Sequence, residues 1–127
     1  MANYVDGFVL PVPTKNLAAY RKMAQKASKL WRDHGALEYR ECVADDMEVQ
    51  VGLPFPRGIK AKKDETIVFA WIVYKSRADR DRVNAKVMND PHLTEGMDMK
   101  AMPFDSKRML YGGFKVIVEA CASRSGN

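Results

Sequence analysis

At 127 residues, with 46% hydrophobic and 29% charged residues, the chain has the size and make-up of one globular domain that can bury a single core. Its longest apolar stretch, "IVFAWIVY" at 67–74, is too short to span a bilayer, and "MANYVDGFVL" lacks the basic and long apolar regions of a secretory signal. A net charge of +5 raises the question of nucleic acid, but the basic residues alternate with acids in "SRADRDRVNAK" and "RGIKAKKDE", and no glycine–aromatic RNA-binding signature occurs. Nucleic acid is therefore not the expected partner. Cys42 and Cys121 form no C-x-x-C pair and read as free thiols of a cytoplasmic protein.

In chain order, "YVDGFVLPV" at 4–12 reads as a strand bounded by prolines. "NLAAYRKMAQKASKLWRDHG" at 16–35 reads as a helix, with Thr14 or Asn16 as its N-cap and Gly35 just past its end. Its inward stripe is Tyr20, Met23, Ala24, Ala27, Leu30, Trp31 and His34, and small residues let it lie close to what it covers. "ALEYRECVAD" at 36–45 alternates Leu37, Tyr39, Glu41 and Val43 against Glu38, Arg40 and Cys42, with charges on both faces as an edge strand has. The long connection at 45–65 holds "MEVQVGL", which alternates as a short extra strand would, then "PFPRG" and the exposed "KAKKDE". A connection of this length is expected to have a role, such as an arm that touches a partner subunit.

"TIVFAWIVY" at 66–74 is apolar on both faces and reads as a central strand. "SRADRDRVNAKVMND" at 76–90 is a helix opened by Ser76 with Asp79 as a capping box, and Val83, Val87 and Met88 form a thin inward stripe. The methionine-bearing "PHLTEGMDMKAMPFDSKRM" is irregular and reads as an adaptable surface beside the last strand. That strand, "LYGGFKVIVEA" at 110–120, carries Gly112 and Gly113, each of which weakens a strand by about 0.5–1 kcal/mol. A bulge or a tight approach by a helix or partner would offset the loss, as would space for a ligand. "ASRSGN" reads as a frayed tail, so the domain is expected over 1–120 with residues 121–127 outside it.

The order β-α-β, connection, β-α-β is the α+β ferredoxin-like βαββαβ plan: an antiparallel sheet with both helices on one face and the first and third strands central. The other face of the apolar third strand then needs a cover, and a second copy of the chain supplies it, sheet against sheet.

"YVDGFVLPVPTKNLAAYRKMA", "WRDHGALEYRECVADD", "PFPRGIKAKKDETIVFAWIVYKSRADRD", "VMNDP" and "MPFDSKRMLYGGF" together resemble the YbaA-like family of small bacterial proteins, to about residue 119. The resemblance implies a ferredoxin-like protomer and a dimeric α/β barrel built from two facing sheets. It carries no reaction. Other branches of that superfamily include cofactor-independent monooxygenases, haem-degrading enzymes and isomerases, typically with sites between sheet and helices, which is analogy at the level of fold.

No catalytic motif is present, and no cofactor is expected. His34, in the last turn of the first helix, reads as a capping or packing residue; as a general base it would need Glu41 or Asp6 to orient it. His92 reads as solvated, and a metal site would require His34, His92, Glu41 and Asp6 to converge. Asp6 shares a face with Tyr4, Phe8 and Leu10 in a central strand, so it needs a partner: Arg108, Arg40 or a tyrosine hydroxyl. Tyr20, Trp31, Tyr39 and Trp71 are either plain core or the wall of an apolar pocket. The candidate pocket thus comprises Asp6, Tyr20, Trp31 and His34, with Tyr39, Glu41, Gly112 and Gly113 beside them. Three uses compete: a homodimer that binds a small apolar molecule, a cofactor-independent enzyme acting on a small aromatic or carbonyl compound and, behind both, a nucleic-acid or partner-binding protein that uses the basic surface.

Overall fold

The computed structural model describes residues 3–96 and 101–122. Four strands, β1 (Tyr4–Pro13), β2 (Glu38–Val43), β3 (Glu65–Tyr74) and β4 (Leu110–Lys115), form one antiparallel sheet in the order β2-β3-β1-β4. Helix α1 (Leu17–Asp33) links β1 to β2, a short α2 (Phe55–Gly58) lies between β2 and β3, and α3 (Arg77–Met88) follows β3. The first and third strands are central and the second is an edge, as the ferredoxin-like plan requires.

The paired register puts Tyr4, Asp6, Phe8 and Leu10 on one face with Tyr74, Ile72, Ala70 and Val68 of β3. That face meets α1 and α3. Its core lies in two clusters, one around Tyr4, Ala36, Ile72, Tyr74, Val83 and Val87, the other around Leu10, Val12, Tyr20, Ala24 and Val68. The Ser76 hydroxyl caps α3 by accepting from the Asp79 amide at 3.1 Å. Asn16 stands at the start of α1 without a side-chain cap; its amide donates to the Pro103 carbonyl at 3.2 Å instead. Gly35, at φ +122°, turns the chain out of α1 in a conformation that a side chain would strain.

Several expectations are corrected. "MEVQVGL" forms no strand, since after Val43 the chain leaves the β3 ladder apart from one bond from the Ala44 amide to the Ile67 carbonyl at 2.8 Å. "PFPRG" is the short α2, whose Phe55 ring lies 6.2 Å from that of Phe69, so the chain itself covers part of the second sheet face. Met88 is 61% exposed, while Val83 and Val87 are fully buried. β4 stops at Lys115, five residues early; the last bond of the pairing is that from the Val116 amide to the Asn3 carbonyl at 3.2 Å. Ile117 and Val118 are 90% and 84% exposed. Most of the tail expectation, residues 123–127, and part of the methionine-bearing segment, residues 97–100, lie outside the described residues.

Candidate functional site

Between the sheet and α1 lies a cavity of about 890 Å³. The sheet supplies its floor with Asp6, Phe8, Tyr39, Glu41, Ala70 and Tyr111, α1 supplies a wall with Tyr20, Ala24, Ala27 and Trp31, and Met102, Pro103 and Phe104 close the side near β4. The small residues of α1 thus leave a space over the sheet where close contact was expected, and Ala70 opposite them deepens it. Met23, Met88, Met102 and Met109 all reach the cavity, so the flexible thioethers line a space as well as a surface. Lys22 and Lys26, exposed on α1, stand at its mouth, and the Lys26 ammonium meets the Glu95 carbonyl.

Two carboxylates mark the floor. Glu41, on β2, accepts the Tyr20 hydroxyl at 2.7 Å and the Tyr39 hydroxyl at 2.8 Å, one on each oxygen. Burial, and then the charge of Glu41, hold both phenols protonated far above their ordinary range. Trp31 and Tyr39 stand 6.2 Å apart with tilted rings, and Phe104 meets Tyr20 edge-on at 5.6 Å. The carboxylate is therefore set among aromatic side chains.

Asp6, 1% exposed, meets the Arg80 guanidinium at 2.9 Å and the Tyr111 hydroxyl at 3.4 Å. The expectation of a tyrosine hydroxyl holds, but the cation is on α3. Arg108 is bound instead by Glu65 at 2.6 Å, and Arg40 lies beside Glu38 at 3.2 Å on the far face of the sheet. Burial raises the Asp6 carboxyl above its ordinary range, while Arg80 and hydrogen bonds with Asn84, Tyr111 and Tyr74 pull it back part of the way. Asn84 ties this end together, accepting the Trp31 indole N–H at 2.9 Å and the Tyr74 hydroxyl at 3.1 Å.

Asp6, Tyr20, Trp31, Tyr39 and Glu41 are thus brought together around one cavity; His34, Gly112 and Gly113 are not among its lining residues. His34 faces neither Glu41 nor Asp6. Its Nε2 is 2.8 Å from Asp90, which also meets Nδ1 of His92 at 2.8 Å. The hydrogen bond with His34, followed by those from the amide and ring of His92, holds the Asp90 carboxyl well below its ordinary range. Among the described residues no group of three or more histidines, cysteines and acids is arranged to hold a metal ion.

The glycines have separate explanations, and neither is a bulge, because Asp6–Gly113 and Gly7–Gly112 pair in unbroken register. A Cβ on Gly113 would stand 2.8 Å from Cε2 of Tyr4 and closer still to its hydroxyl, so the close approach comes from the neighbouring strand of the same sheet. On the opposite face the Phe114 ring lies against Gly7 and Gly112 with ordinary contacts.

Arg80 and Asn84 escaped the sequence reading. Both fall on the Val83–Val87 side of α3, and a charged residue and an amide on an otherwise apolar stripe were the available signal.

The profile of a family described as "Protein of unknown function (DUF1428)" matches residues 3–106. The chain is 46% identical over 116 residues to the "Uncharacterized protein YbaA" of Escherichia coli (strain K12), which covers 91% of this chain and 97% of the relative; the protein of that name from Shigella flexneri matches equally. Among solved structures, a dimeric ferredoxin-like protein from an uncultured marine organism is similar at TM-score 0.60 and 11% identity, over 94% of this chain and 100% of the other. A NIPSNAP family protein with unknown function from Agrobacterium tumefaciens str. C58 follows at TM-score 0.56 and 12% identity, over 90% and 87%. At these identities the likeness is one of fold.

Proposed function

The chain belongs to the YbaA-like family of unknown function, and we propose that it works as a homodimer that holds a small, largely apolar molecule in its sheet–helix cavity. The cavity carries this reading. A volume of about 890 Å³ is within the range of small-molecule sites, and close-packed interiors leave few voids larger than a water. The lining is aromatic and aliphatic, with a few polar groups that converge on the floor, which is how such sites combine affinity with orientation.

The second copy packs on the open face of the sheet. Phe69, Leu110 and Phe114 are 45%, 58% and 61% exposed there, and Trp71 lies among them. An apolar face of this kind favours a partner, and the similar marine protein is itself described as dimeric. The exposure of Val51 and Leu53 in the segment after β2, 89% and 64%, supports its use as an arm on the other subunit.

The enzyme reading has less support. The histidine that would serve as base is held by Asp90 away from the cavity, Asp6 is paired with Arg80, and Glu41 is engaged by two tyrosines. No described histidine reaches the space where a substrate would sit.

Native mass spectrometry of freshly purified protein tests both halves of the proposal. The expected result is a dimer with an added small-molecule mass that disappears on denaturation. A monomer would overturn the sheet-on-sheet arrangement. A dimer without added mass that also fails to enhance the fluorescence of an apolar dye would overturn the cavity as a binding site.

A further inference from the structure

We propose that the molecule bound in the cavity is an organic cation, an amine or quaternary ammonium on an apolar body, whose charge is seated against Glu41. The inference rests on the reading of the cavity as a binding site and adds the chemistry of its occupant. Asp6 and Glu41 both lie on the cavity floor, but only Asp6 has a counter-charge, Arg80 at 2.9 Å. Among the described residues Glu41 has hydroxyl partners only, Tyr20 and Tyr39.

A carboxylate offers about four acceptor positions, and two tyrosines use one on each oxygen, so a further donor can approach both. Without a guest, the remaining positions would be left to water. A neutral apolar guest would expel that water and leave a charge compensated by two hydroxyl groups, which is costly. An ammonium replaces the water and brings the missing positive charge with it.

The surrounding side chains suit the same guest. Tyr20, Tyr39, Trp31 and Phe104 provide π faces and edges around the carboxylate, and aromatic walls with an acid at their base are complementary to a cation with alkyl or aryl substituents. An anion would meet the unneutralised Glu41 inside; the lysines that could attract it, Lys22 and Lys26, are exposed at the mouth, where salt and water screen them.

The test is calorimetric titration of the wild-type protein with phenylbutylamine, phenylbutanol and phenylbutanoate, three probes of one apolar body and different charge. The amine is expected to bind at least about tenfold more tightly than the alcohol, the order of one partly desolvated charge or cation–π contact, and the carboxylate is expected to bind weakest. In Glu41→Gln the advantage of the amine over the alcohol should vanish. Equal binding of amine and alcohol, or tightest binding of the carboxylate, would overturn the cation assignment and leave the cavity reading standing. Binding of none of the three would overturn both. Should Glu41→Gln fail to fold, the order of the three probes on the wild-type chain decides the matter alone.

Discussion

At one end of the cavity floor Asp6 is enclosed by Arg80, Tyr111, Asn84 and Tyr74; at the other, among the described residues, Glu41 reaches only the hydroxyls of Tyr20 and Tyr39. Both carboxylates stand on the helix face of one sheet, and both have tyrosine partners. Their difference lies in what α3 and α1 bring over them. The side chains of α3 at the Asp6 end are a guanidinium and an amide, which neutralise and fill; those of α1 above Glu41 include alanines, which leave a space. The carboxylate with its cation in place suits a structural role, and the other, which no described cation meets, is the one we assign to recognition.

The largest expected effect breaks the Asp6 end. Asp6→Ala should lower stability by about 3 kcal/mol, at the low end for breaking a buried pair, because Arg80 keeps a second contact with Asp81 at 2.9 Å. Chemical denaturation of the wild type and variant measures it, and a loss below about 1 kcal/mol would mean that Asp6 is no more structural than a surface acid. Next comes Gly113→Ala at the same end. The Tyr4 ring cannot swing aside freely, since it is 8% exposed and has the Arg80 guanidinium 5.0 Å from its centre. A cost of about 1–3 kcal/mol is expected from overpacking, and Gly112→Ala, whose added Cβ would find only contacts at 3.7 Å and beyond, should cost less. An equal loss at both positions would deny Tyr4 its role.

The smallest effect sharpens the comparison with a third carboxylate, Asp90, which lies outside the cavity and is shared by two histidines. Its carboxyl is held below the ordinary value of 3.8, so in the folded state it stays ionised where the unfolded chain would take up a proton. The stabilisation it provides is present above that value and is lost as pH falls through its own lower one. Thermal melting of the wild type and Asp90→Asn across acidic pH should therefore show a gap that narrows as the medium is acidified. A gap that widens towards acid would reverse the sign.

Much of the fold was legible because its signals are local. Alternation in β2 with charge on both faces, the apolar run of β3 and the Ser76–Asp79 cap each depend on neighbours in the chain, and each survives in the structure. The site was legible in part. Placing Asp6 mid-strand among apolar neighbours revealed that it needs a partner, and the face it shares with Tyr20, Trp31, Tyr39 and Glu41 follows from the periods of helix and strand. The identity of the cation was not legible: Arg80 is 74 residues away and reaches Asp6 only once α3 has packed on the sheet. The same holds for His34, whose carboxylate is 56 residues distant and was sought in the wrong place.

The sequence by itself determined the order of the four strands and two long helices and which strands lie in the centre, because period, capping and composition act over a few residues at a time; the resemblance of its long segments pointed separately to the family. Only the tertiary structure decided that β4 ends where its neighbour does, that Gly113 makes room for Tyr4, and that α1 stands over the sheet with a cavity beneath it. Those outcomes depend on distances between elements far apart in the chain, and a row of alanines is compatible with close contact or with empty space until the helix has been placed.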